Sequence, residues 1–221
     1  MSSTFVRNLT FQAEDLGKVS TLVLTFHCDT DGIYQKTFPL VWRAITCGKE
    51  GRYTMFTTYT NQFAFSKVQV EDGEIVDAGT YVRINNGETT TLTQTDDGFR
   101  FSDPEPGVHG YLEACNETGV VQDIAISIMI PGDSVPKPVL YFKDVEYYKT
   151  ETCRGVTAIT PILRAYITSN YQETATVQCG ITTDPIWEQD LSDLPETTIL
   201  TLKRDLATGR YTITQELSAL E

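Results

Sequence analysis

The chain reads as an all-β protein of two tandem duplicated β-sandwich-like halves with a pseudo-two-fold relation, and three observations predict it. Composition is the first: 33 Thr, 11 Tyr and 10 Phe among 221 residues, with many Val and Ile, are the usage of pleated, half-buried surfaces. The second is period-two alternation in short segments bounded by Gly-containing turns. The third is a repeated string, Glu88-Thr89-Thr90-Thr91-Leu92-Thr93 and Glu196-Thr197-Thr198-Ile199-Leu200-Thr201, identical at five of six positions.

In chain order, alternation predicts strands over Val19–Phe26, Ala64–Val70, Thr80–Ile84 and Thr197–Leu202. Asp31-Gly32, Asp72-Gly73, Asn86-Gly87, Asp97-Gly98, Pro131-Gly132 and Thr208-Gly209 supply the turns between strands, because Gly after Asp or Asn adopts the positive φ that tight hairpins need. Asp184-Pro185-Ile186-Trp187-Glu188-Gln189-Asp190-Leu191 is the best helical candidate, with Asp to cap it and Pro in the first turn; an edge strand is the alternative.

Further similarities accompany the repeated string in the same order. Pro39–Ala44 stands beside Pro161–Ala165, Val68-Gln69-Val70 beside Val177-Gln178-Cys179, and Gly98–Phe101 beside Gly209–Tyr211. The halves expected from them are residues 1–102 and 108–221, each near the size of an immunoglobulin-like sandwich. Ser102-Asp103-Pro104-Glu105-Pro106-Gly107 joins them, since its prolines deny a regular ladder. A duplicated protein offers a cleft where its halves meet, and ligand sites favour such interfaces.

With 17 basic and 30 acidic side chains the net charge is −13. That balance would repel a phosphate backbone or an anionic membrane surface, which excludes nucleic acid and membrane as expected partners and leaves a small-molecule ligand and self-association. The longest apolar run, Ile124–Ile130, is far short of the ~20 residues a spanning helix needs. The first residues carry no basic segment followed by an apolar one, so the expected location is the cytoplasm. Cys28, Cys47, Cys115, Cys153 and Cys179 have no C-x-x-C spacing and are read as reduced thiols. The sequons Asn8-Leu9-Thr10 and Asn116-Glu117-Thr118 would matter only after secretion.

No catalytic signature appears, and the chain is read as a non-enzyme. The two histidines, His27 and His109, limit triads and metal sites, and neither G-x-S-x-G nor H-E-x-x-H is present. His109 and Tyr111 follow the connector, where the halves should meet. His27 ends an apolar run and reads as a core or edge imidazole. Asp29-Thr30-Asp31-Gly32 echoes a calcium loop but has Leu40 where the twelfth-position Glu belongs, so it reads as a hairpin turn and metal binding stays open. Trp42, Trp187 and Tyr59 are candidate stacking rings. Arg43 and Arg164, each after a Pro and an apolar run, are candidates to line the cleft as a pseudo-symmetric pair, or to close structural ion pairs.

The stretch Tyr141-Phe142-Lys143-Asp144-Val145, followed by Thr160-Pro161-Ile162-Leu163-Arg164-Ala165-Tyr166-Ile167-Thr168-Ser169-Asn170-Tyr171-Gln172-Glu173, resembles the small cytosolic fruiting-body proteins of gilled mushrooms. That family includes the pink chromoprotein of oyster mushrooms, which carries a small indole-derived pigment. The resemblance implies a small organic chromophore as cofactor and assigns no residue to it. The function expected is therefore a non-catalytic binding protein holding a small, flat, apolar ligand between the halves. A lectin-like carbohydrate module is the alternative, and an enzyme using His109 the third reading.

Overall fold

A computed structural model describes residues 5–27, 33–147, 161–168, 171–177, 181 and 184–216, and the backbone of 153–157. The described residues form strands joined by turns, with one 3-10 turn at Leu191–Asp193. In the first sheet β1 (Val6–Glu14) runs parallel to β17 (Thr197–Arg204) and antiparallel to β5 (Arg52–Thr60). With β18 (Tyr211–Gln215) the order is β18-β17-β1-β5. In the second, β2 (Ser20–Phe26) lies between β4 (Val41–Cys47) and β15 (Ile162–Ile167), and β16 (Trp187–Asp190) forms the far edge.

The third sheet joins β3 (Thr37–Pro39), β13 (Lys137–Val145), β12 (Gln122–Ile128), β6 (Phe63–Glu71) and β7 (Glu74–Ile84) in that order. The fourth is built on β8 (Glu88–Thr95), which pairs with β9 (Gly98–Phe101), with the short β10 (Glu105–Pro106) and, in parallel, with β11 (Tyr111–Asn116). β14 (Cys153–Thr157) lies on the far side of β11.

Alternation decides which face each strand buries. On β2, Leu22, Leu24 and Phe26 enter the main core while Val23 packs on the other face; on β12, Ile124, Ile126 and Ile128 do so while Ala125 faces away. Leu9, Phe11 and Leu200 of the first sheet, Leu163 and Ala165 of the second, and Leu92 and Leu112 of the fourth belong to that same continuous core. The expected turns also form where the structure describes them. Asp72 and Gly73 carry φ of 51° and 82° between β6 and β7, and Gly87, Gly98, Gly132 and Gly209 all have positive φ.

Gly107 has a different reason to be glycine: a Cβ there would stand 3.1 Å from the Glu88 carbonyl carbon and 3.1 Å from the Thr89 Cβ. Gly107→Ala is therefore expected to cost about 1 kcal/mol, read as a lower denaturation midpoint, because the β8 backbone it meets cannot step aside cheaply.

The structure departs from expectation in several places. Every sheet takes strands from both 1–102 and 108–221, so that boundary separates no sheet from another. The chain is interleaved rather than laid out as one half after the other. At Trp187–Asp190 the helical reading gives way to its alternative, the edge strand β16, whose pairing with β15 satisfies backbone groups that a lone helical turn would leave open. Cys115 is disulfide-bonded and stands opposite Cys153 in the β11–β14 ladder, against the reading of all five cysteines as reduced. Cys47 is free and buried, and burial pushes its thiol up. Asn116 is buried, with its amide donating to the Val120 and Val145 carbonyls at 2.8 Å each, so its sequon is closed to modification in the fold. The calcium-like loop lies outside the described residues.

Candidate functional site

Residues 171–177 cross between the second and third sheets and tie them together. Val41 N–H donates to the Ala175 carbonyl at 3.0 Å, Thr176 N–H to Gly73 at 2.8 Å and Val177 N–H to Pro39 at 2.9 Å. Ala175 and Val177 pack on Val23 and Val41, the outward residues of β2 and β4. Beside this crossing lies a cavity of about 210 Å³ that both chain segments line, with Thr25, Phe26, His27, Ile33, Tyr34 and Pro39 from one and Arg164, Tyr166, Val177 and Ile181 from the other.

The strand period places its polar groups. Leu163 and Ala165 are fully buried in the core, so Arg164 and Tyr166 between and beyond them face the cavity, opposite Thr25 and Val23 of β2. Arg164 stands opposite Glu188 of β16 and its Nε–H donates to that carboxylate. Burial works against the Arg164 charge, but Glu188 and the Tyr166 hydroxyl outweigh it and raise the guanidinium's affinity for its proton. Burial likewise pushes the Tyr166 phenol up, partly opposed by Arg164, so it stays a neutral donor and acceptor at neutral pH.

Tyr34 enters the cavity from a strained position. Its φ is 60°, a left-handed conformation that costs a bulky residue about 1–3 kcal/mol, held by its N–H donating to the Thr37 carbonyl at 2.7 Å. Such strain gathers at ligand clamps and active sites, where surrounding structure over-determines it. The assembled site has aromatic walls (Phe26, Tyr34, Tyr166), an apolar floor (Pro39, Val177, Ile181), and Arg164, His27 and Tyr166 as orienting polar groups. It is suited to gripping a planar molecule with a few polar substituents. No cluster of three or more His, Cys, Asp or Glu that could hold a metal occurs among the described residues.

Of the ligand-binding candidates named from the sequence, Arg164 alone lines this cavity, and it is joined there by His27, which the sequence suggested as a core or edge imidazole. Trp42 and Tyr59 are core residues at 0% and 1% exposure, both packed on Phe26 with tilted rings at 5.0 and 5.4 Å between centroids. Phe26 thus forms the wall between core and cavity. Trp187 is half-buried and meets Phe11 edge-on at 6.1 Å. His109 and Tyr111 are exposed beside the fourth sheet, where Gly87 N–H bonds the Tyr111 carbonyl at 2.7 Å. Arg43 is engaged by Glu173 at 3.5 Å and by the Thr57 hydroxyl at 3.0 Å. Arg43 and Arg164 sit on β4 and β15, which flank β2 in one sheet, so the two strands are not equivalent.

A second, larger groove of about 330 Å³ is bounded by Phe38, Tyr141, Lys143 and Thr176. The Phe38 and Tyr141 rings stack at 5.9 Å and form its aromatic wall. No described helix is long and apolar enough to cross a membrane. No family model, curated protein or solved structure matches the chain.

Proposed function

We propose that the chain is a non-catalytic binding protein whose ligand is a small planar molecule seated in the cavity between β2, β15 and the crossing at 171–177. The observation that carries this reading is the convergence of Tyr34, Tyr166, Arg164 and His27 on one cavity, with Tyr34 held in a strained backbone to reach it. At about 210 Å³ the cavity is below the about 300–1,000 Å³ of drug-sized sites, which favours a compact ligand of one or two rings. The resemblance to small fruiting-body proteins of gilled mushrooms, one of which carries a pigment, makes a pigment one candidate for that ligand.

The strand orders support the reading of an internal duplication in which the cavity belongs to one copy. The order β18-β17-β1-β5 matches β9-β8-β11-β14, and β16-β15-β2-β4 matches β7-β6-β12-β13, with chain order kept throughout. β1–β17 and β8–β11 are both parallel pairs. Register breaks at the same step in both: Leu24 faces Arg43 and Thr25 faces Val41, as Ile126 faces Leu140 and Ser127 faces Pro138. A shared irregularity of that kind is hard to reach twice by chance.

In this correspondence Arg164, Tyr166 and Thr25 answer to Ala64, Ser66 and Ser127. All three of the latter are sealed at 0% exposure, with the two serine hydroxyls bonded at 2.8 Å. One copy of the frame is closed with small side chains; the other carries large polar and aromatic ones around a cavity.

Native mass and absorption spectrum of protein purified from its own source test the reading. The expected result is a mass above 24.7 kDa by about a few hundred daltons, one small organic molecule, lost in Arg164→Met. Protein at the chain mass, with no thermal shift from a panel of planar aromatics, would refute it. Tyr34→Gly is expected to change stability by less than about 1 kcal/mol, because relief of strain offsets lost contacts, while occupancy falls.

A further inference from the structure

We propose that the groove bounded by Phe38, Tyr141, Lys143 and Thr176 is a second ligand site, and that it takes a zwitterionic aromatic α-amino acid. It shares no lining residue with the cavity: Phe38 and Thr176 line the groove, whereas their chain neighbours Pro39 and Val177 line the cavity. At about 330 Å³ it falls within the about 300–1,000 Å³ of small-molecule sites. Phe38 and Tyr141 face each other across β3 and β13, and their rings stack with planes 29° apart while Phe38 and Val70 stay half-buried. Such a wall accepts a further ring in offset or edge contact.

The surroundings of that wall carry both signs of charge. Lys143 is the one charged residue among the described lining residues; it is exposed, and no described carboxylate lies within ion-pair distance of it. A bulge sets its place: Gln122 faces Val145 and Ile124 faces Phe142, so Asp123 stands against both Lys143 and Asp144. Asp144 takes a strained φ of 52° there, and its N–H donates to the Asp123 carboxylate at 3.0 Å. Burial pushes the Tyr141 phenol up, and Asp123 and Asp144 add to it, which puts both acids near the hydroxyl end of the wall. Asp72 and Glu74 flank the lining Gly73 in the β6–β7 turn. These charges select the ligand. A lone carboxylate would suit Lys143 but be repelled by the acids in a chain of net charge −13, and a lone amine would suit the acids but meet Lys143. A molecule carrying both satisfies both, with its carboxylate on Lys143, its ammonium toward Asp123 and its ring on Phe38.

Titrating the full chain calorimetrically with L-phenylalanine, L-tyrosine and L-tryptophan, and with 3-phenylpropionate and phenethylamine as single-charge analogues, tests the proposal. The expected result is saturable binding of at least one amino acid, about tenfold or more tighter than either analogue. Lys143→Met should weaken it about tenfold, and Lys143→Glu should reverse the order so that phenethylamine binds more tightly than the amino acid. Both variants should keep the parent circular dichroism, because Lys143 is exposed. Arg164→Met, which alters the cavity, should leave this binding intact, so this proposal and the cavity reading fail independently. No saturable binding of any of the three amino acids overturns it. An analogue that binds as tightly as the amino acid, or binding indifferent to both Lys143 variants, overturns it too. Binding abolished by Arg164→Met would assign the amino acid to the cavity and overturn the groove as its site.

Discussion

Trp42→Ala is expected to lower unfolding free energy by about 3–5 kcal/mol, the range for truncating a fully buried large aromatic. Trp42 is the extra residue where β4 bulges: Leu24 pairs with Arg43 and Thr25 with Val41, so Trp42 turns into the core with no partner across the ladder. It is 0% exposed and packs on Phe26 at 5.0 Å. Its indole N–H is buried without a hydrogen-bond partner among the described residues. Trp42→Phe removes that orphan donor, whose burial costs about 1–3 kcal/mol, while giving up only part of the ring volume. The two terms oppose each other, and Trp42→Phe should stay within about 1.5 kcal/mol of the parent. Urea unfolding followed by circular dichroism, with m unchanged across the three proteins, reads both values. Equal damage from the two substitutions would mean that the N–H is satisfied in solution and that ring volume alone matters.

The strands were legible because alternation is a local signal, and each of the four segments read from it lies in a strand: β2, β6, the end of β7, and β17. What alternation leaves open is parity. In β5, Tyr53, Met55, Thr57 and Tyr59 alternate with Thr54, Phe56 and Thr58, and both sets hold an aromatic ring. The first set is the more apolar, but that alone does not send Tyr59 in and Phe56 out. The choice falls to β1, whose Leu9 and Phe11 face Thr57 and Met55 across the ladder and lie in the core.

The cavity was less legible, for a reason of topology. Arg164-Ala165-Tyr166 shows by spacing alone that Arg164 and Tyr166 share a face. That the face lies against Thr25 and beside Tyr34 depends on β2 pairing with β15 across some 140 residues of sequence, a contact no local pattern encodes. Tandem halves were the natural expectation because short connections favour neighbours in sequence. Here the parallel pairs β1–β17 and β8–β11 each join one segment to the other. Tyr34 could have been suspected from its position just after Asp31-Gly32, but its left-handed backbone is set by the bond to Thr37.

Glu173→Gln is expected to destabilise the fold by about 2 kcal/mol near neutral pH, at the modest end for a charged hydrogen bond because Glu173 is 38% exposed and water takes up part of the loss. Its carboxylate accepts from Lys137 of β13, from the Ala44 N–H at 3.3 Å and from Arg43 of β4 at 3.5 Å, so one side chain of the crossing segment binds the second sheet to the third. Lys137 and Arg43 are only 16% and 18% exposed, and either would be left under-compensated without it. Burial pushes the Glu173 carboxyl up, but Lys137, the Ala44 N–H and Arg43 together overcome this and hold it below the ordinary glutamate range. The folded value is then lower than the unfolded one, so the stabilisation is complete above an unfolded pKa of about 4.3 and is lost as pH falls through the folded value. The gap in unfolding midpoint between parent and Glu173→Gln should be constant from pH 8 to about pH 5 and close in more acid solution. Lys137→Met combined with Glu173→Gln should cost less than the sum of the two single changes, because each removes the same contact. A gap that persists unchanged through the acid range, or strict additivity, would show that Glu173 acts through packing and that the charge cluster does not tie the sheets together.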